Sequence, residues 1–118
     1  MKGGRNFHVA KKAVCGAGHK HDSMAEAKRC SDLHLLLRAG KIAGLNVNPR
    51  FYFEINGQPI KMANGHVARY TGDFTYIEGN RQVVEDVKPS GGLVERDFPL
   101  RFALAKALFP NIEFRVVK

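Results

Sequence analysis

The sequence contains no tryptophan and only two cysteines, Cys15 and Cys30. Two thiols in a chain of 118 residues do not make a disulfide framework, and a disulfide is not expected. The opening Met1-Lys2-Gly3-Gly4-Arg5 leads into no apolar run, so no secretory signal is expected and a reducing, cytoplasmic setting is the default. Long hydrophobic stretches are also missing: no segment approaches the roughly 20 apolar residues of a membrane span. Acidic residues are scarce, with 11 Asp and Glu against 19 Lys and Arg, which leaves a formal charge of +8. That excess favours a polyanionic partner, most simply nucleic acid, steered through counterion release. A nucleotide-binding loop is absent, because Gly91-Gly92 follows a strand without the GK[ST] signature.

What is present fits one domain with no room for a second core. Residues 1–15 read as a basic flexible arm rich in Gly, Lys and His, and residues 16–118 as the folded domain. A helix is expected over 23–39, because Ser23-Met24-Ala25-Glu26 forms a capping box and Gly40 supplies a stop. Residues 48–55 read as a strand entering a hairpin at Asn56-Gly57, and 67–77 as another. The turn Glu78-Gly79-Asn80 then leads to a strand over 82–88. A second helix starts near Asp97 with Pro99 in its first turn, and its Leu100, Leu104 and Leu108 read as core. Residues 112–117 alternate as a last strand. The order is α-β-β-β-α-β, an α/β sandwich around one mixed sheet.

Side chains alternate along a strand, so in Val83-Val84-Glu85-Asp86-Val87-Lys88 the pair Asp86 and Lys88 shares a face that Glu85 does not. Asp73 precedes Asp86 by thirteen residues, and the intervening turn lays the two strands side by side. Two carboxylates and a lysine suit Mg²⁺ or Mn²⁺ chemistry on a phosphate. The ion takes oxygen ligands and neutralises developing charge, and the lysine orients water or steadies phosphate oxygens. Glu26 heads the apolar stripe of the first helix, with Cys30, Leu33 and Leu37 at helical spacing. Two readings of it stand: the fourth residue of the capping box, or a carboxylate that calls for a metal or a partner.

The run Gly18-His19-Lys20-His21-Asp22-Ser23-Met24-Ala25-Glu26-Ala27-Lys28-Arg29 resembles the opening of a phage and prophage family, domain of unknown function 1064. The segments 38–45 and Pro49-Arg50-Phe51, Asp73-Phe74 with Tyr76, and Val83-Val84-Glu85-Asp86-Val87-Lys88 are similar to its later signatures. Asn48, Arg101 and Pro89 depart from that pattern. The resemblance implies membership of the PD-(D/E)XK (restriction-endonuclease-like) nuclease superfamily. It implies Asp73, Asp86 and Glu26 as metal ligands and Lys88 as the motif lysine, in the cytoplasm of a bacterial host.

Other candidates carry less. Cys15, His19, His21 and Cys30 do not have zinc-finger spacing. His34 and His66 stand alone, Glu54 is an unsupported auxiliary ligand, and Glu85 is expected to pair with a basic group on the opposite sheet face. Arg69, Arg101, Lys106 and Lys61 are the cations expected to track a phosphate backbone. The expectation is therefore a Mg²⁺- or Mn²⁺-dependent endonuclease acting on DNA, with branched or structured substrates in view and a homodimer where both strands are cut. The alternatives are a basic nucleic-acid-binding module without catalysis, or a phage factor that binds a host protein.

Overall fold

The computed structural model of the chain describes residues 13–14, 20–21, 23–88 and 96–118. Apart from strand β1 (Ala13–Val14), which pairs antiparallel with β2 (Lys20–His21), the arm expected over 1–15 lies outside them. So do Cys15, His19 and the loop 89–92.

Helix α1 (Met24–Arg38) is fixed at both ends by its sequence. Ser23 is extended, and its Oγ accepts the Glu26 amide at 3.1 Å. At the other end Gly40 takes φ +76°, and the Gly40 and Lys41 amides return to Leu37 and Leu36 carbonyls at 3.1 and 2.9 Å. That pair of bonds is the Schellman closure, which glycine permits at no steric cost. Between these ends α1 buries Glu26, Ala27, Cys30 and Leu33.

The central sheet has four strands in the order β10-β9-β8-β3, where β3 is Ala43–Val47, β8 Phe74–Glu78, β9 Arg81–Val87 and β10 Ile112–Val117. β8 and β9 form an antiparallel hairpin, and β10 returns parallel to β9 after helix α2 (Phe98–Leu108). One sheet face, with Phe74, Tyr76, Val83 and Val87, packs with Ala27, Cys30 and Leu33 of α1. The other, with Val84 and Phe114, packs with Tyr70, Phe53 and Ala105 of α2. The result is a small α/β fold with a mixed sheet between two helices.

Two expectations about strands need correction. Residues 48–55 do not join the central sheet. They divide into β4 (Arg50–Tyr52) and β5 (Glu54–Ile55), and the latter closes a hairpin with β6 (Gln58–Pro59). The Asn56-Gly57 turn has φ of 54° and 76°, the positive pair that a tight hairpin demands. The sheet position goes to β3, an edge strand with a bulge between Ala43 and Asn46. Nor is 67–77 one strand: β7 (Arg69–Thr71) pairs with β4, and the chain changes sheets at Gly72-Asp73 before β8. Helix α2 differs in part: Leu104 and Leu108 pack against the core as expected, whereas Leu100 is 65% exposed and the helix buries Ala105, with Phe98 and Phe102 packed around it.

The change of sheets depends on Gly72. A Cβ there would lie 2.7 Å from Cγ1 of the fully buried Val84. Gly72→Ala is therefore expected to cost about 1–3 kcal/mol by overpacking, read as a lower Tm. The cost should shrink when Val84 is also alanine; an equal cost in both backgrounds would show the contact to be irrelevant.

Candidate active site

The β8–β9 ladder ends with Phe74 opposite Glu85, which leaves the Val87 amide beyond the last rung. Asp73, at the point of departure, takes that amide: its Oδ2 accepts from Val87 N at 2.6 Å while its own amide bonds Glu85 O at 2.9 Å. Asp86 and Glu85 then diverge as strand alternation requires. Asp86 turns to the α2 side, where its Oδ2 accepts from Tyr70 OH at 2.8 Å and its Oδ1 pairs with Lys88 Nζ at 3.0 Å. Burial first, and the Asp86 charge second, push the Tyr70 phenol far up, so it stays protonated and remains a donor. Lys88 Nζ also sits 3.9 Å from the centroid of the Phe98 ring, in the first turn of α2. Glu85 turns to the α1 side and is gripped by Arg29.

Glu26 reaches the same place from α1. It is 8% exposed, and its carboxyl lies beside that of Asp73 and raises its pKa. Two carboxyl groups can bond only if one holds a proton. Burial first, then the Glu26 bond and charge, push Asp73 up to about 8, against the lowering effect of the Val87 amide. The charge of Asp86 adds to the rise. Glu26, Asp73, Asp86 and Lys88 thus line one cavity of about 270 Å³. The first turns of both helices meet there, through Ser23 and Glu26 of α1 and Phe98 and Arg101 of α2.

The expected phosphate-tracking cations divide. Arg101 lines the cavity, held by Asp97 at 3.0 Å, and its Nη1 lies 3.4 Å from the Arg69 carbonyl. Arg69 bonds Thr71, another lining residue, at 3.4 Å. Lys106, 5.4 Å from the centroid of the Phe102 ring, and Lys61, in a bridge with Val67, line no part of the cavity. Glu54 is exposed on the hairpin, and His34 Nδ1 lies 2.9 Å from the Cys30 carbonyl within α1. Tyr70, Thr71, Phe98 and Asp97 escaped sequence reasoning as site residues. Only Asp97, beside the start of a helix, carried any signal.

Among the described residues no group of three or more His, Cys, Asp and Glu is arranged to hold a metal ion. Mg²⁺ needs only one or two carboxylates and keeps several waters. The Glu26–Asp73 pair meets that requirement: it is hard oxygen throughout, and a cation would take over the role of the shared proton. The residues fit the ion in donor type and in charge.

The chain matches, over residues 5–118, the model of the family described as protein of unknown function DUF1064, and it belongs to that family. No curated protein and no solved structure matches it.

Proposed function

We propose that this chain is a metal-dependent endonuclease of the PD-(D/E)XK kind that hydrolyses DNA phosphodiester bonds with Mg²⁺ or Mn²⁺. The observation that carries this reading is the convergence of Glu26 from α1, Asp73 from the β7–β8 junction, and Asp86 and Lys88 from the end of β9 on one cavity. Two further features support it. The central sheet and its helices follow one another as α1-β3-β8-β9-α2-β10, a succession that supports the superfamily reading. The positive ends of two helix dipoles also lie at the cavity, which favours a phosphate there.

Asp73 and Glu26 would hold the ion, with Asp86 beside them. A bound divalent ion supplies charge neutralisation at the phosphate and acidifies a water. Lys88, fixed between the Asp86 carboxylate and the Phe98 ring, presents an ammonium to the water or to a phosphate oxygen. Tyr70 holds Asp86 in orientation. Branched or structured DNA is the substrate class proposed, since the described residues form one α/β unit around the cavity. Cutting both strands would call for a homodimer.

The test is nicking of plasmid, single-stranded and four-way-junction DNA by wild type and Asp86→Asn, each with Mg²⁺, Mn²⁺ or EDTA. Wild type should nick at least one substrate only with metal, and the variant should not. No metal-dependent cleavage of any of them would overturn the reading in favour of a binding module.

A further inference from the structure

A second cavity, of about 320 Å³, lies on the other flank of Lys88. Helix α1 contributes Lys28, Arg29 and Asp32 to it, and Lys118 follows from the end of β10, the outer strand of the central sheet. Val87 and Lys88 line both cavities, so the two adjoin across these residues.

Charge reverses across Lys88. On one side Glu26, Asp73, Asp86 and Asp97 face Lys88 and Arg101. On the other, the side chains of Lys28, Arg29, Lys88 and Lys118 face one acidic side chain, Asp32. The cations also differ in whether the fold already neutralises them. Arg29 is committed to Glu85, Lys88 to Asp86 and Arg101 to Asp97. Among the described residues, Lys28 and Lys118 enter no ion pair. Two compact ammonium groups outside any such pair, in a concave groove, suit a phosphate, which lysine binds as a point charge.

We propose that this groove is a subsite for the nucleic-acid backbone, holding a phosphate that flanks the one at the carboxylates, with Lys28 and Lys118 as its cations. The assignment of the flanked phosphate rests on the nuclease reading above. Under it the backbone crosses Lys88, which touches both positions, and the substrate strand runs along α1 and the β10 edge rather than over the far end of the sheet.

The experiment measures binding without chemistry. Anisotropy of a short fluorescein-labelled DNA duplex is followed in EDTA over a salt series, for wild type, Lys28→Glu, Lys118→Glu and the control Lys41→Glu. Lys41 is exposed and lies just past the opposite end of α1, so the control changes net charge equally. Lys28→Glu and Lys118→Glu should each weaken binding by about 5–10-fold at low salt and reduce the salt slope by about 1. Lys41→Glu should stay within about twofold of wild type. The proposal is overturned if the control weakens binding as much as the groove variants, or if wild type does not bind the duplex. Failure of the nuclease reading looks different: DNA is bound through the groove but never cut. Cleavage with unweakened Lys28→Glu binding would sink the subsite and leave the nuclease standing.

Discussion

An Arg29→Ala variant is expected to melt roughly 10–20 °C below wild type. Glu85 is fully buried in the middle of β9, and both its oxygens accept from Arg29, Nε at 2.8 Å and Nη2 at 2.6 Å. Tyr76 OH donates to the same carboxylate, and Arg115 Nη1 lies 3.4 Å from that hydroxyl. Removing the guanidinium leaves a carboxylate without a cation inside the core, a change that typically costs about 3–5 kcal/mol. Glu85→Ala is the milder lesion at the ion pair, since the Arg29 side chain is 26% exposed and can turn to water. Replacing the pair together, as Arg29→Met with Glu85→Leu, should recover much of the loss. Thermal unfolding of the three variants checks the ordering. If Arg29→Ala melts with wild type, the buried pair contributes nothing to holding α1 on the sheet.

Asp73→Asn should change the pH dependence of stability and remove activity. In folded protein Asp73 keeps its proton up to about pH 8, whereas an unfolded aspartate releases it near 4. Between those values the folded state binds more protons, so unfolding free energy falls as pH rises. The contribution is fully present below pH 4 and lost by about 8. In EDTA, Tm of wild type should therefore fall over that window relative to Asp73→Asn, whose amide does not titrate. Mg²⁺ or Mn²⁺ favours the ionised carboxyl and should raise Tm of wild type at pH 8, but not that of the variant. Cleavage by the variant should drop by about 10³-fold, matching the several kcal/mol of charge stabilisation an ion supplies. Identical Tm–pH curves for both proteins would remove Asp73 from the shared-proton pair.

Much of the site could be read in the sequence because it depends on short-range geometry. Strand alternation separates Asp86 from Glu85, and the turn at Gly79 puts β8 against β9, so the approach of Asp73 to that strand follows from spacing. Helical phase turns Glu26 inward with Cys30 and Leu33. The capping-box reading holds for the Ser23 hydroxyl, which takes the Glu26 amide, while the Glu26 side chain meets Asp73. What stayed hidden depends on tertiary contacts. Tyr70-Thr71-Gly72-Asp73-Phe74 alternates well enough to pass for one strand, and only the approach of Val84 to Gly72 shows why the chain leaves the sheet there. Strand β3 is mostly exposed and bulged, so it has no burial period to betray it. Leu100 fits a leucine stripe by spacing, yet α2 turns its phenylalanines to the sheet. The phenol of Tyr70 reaches Asp86 from a different small sheet, a partnership that no local pattern encodes.

The early end of the β8–β9 ladder has one more consequence. Asp73 is available because the hairpin stops at Phe74, and Val87 then offers its amide to a side chain instead of a neighbouring backbone. A relative whose hairpin was longer by one rung would have a more regular sheet, with its aspartate drawn into the pleat and its Val87 amide satisfied by main chain. Among members of this family, the length of that hairpin should therefore separate chains that keep the carboxylate pair from chains that have lost it.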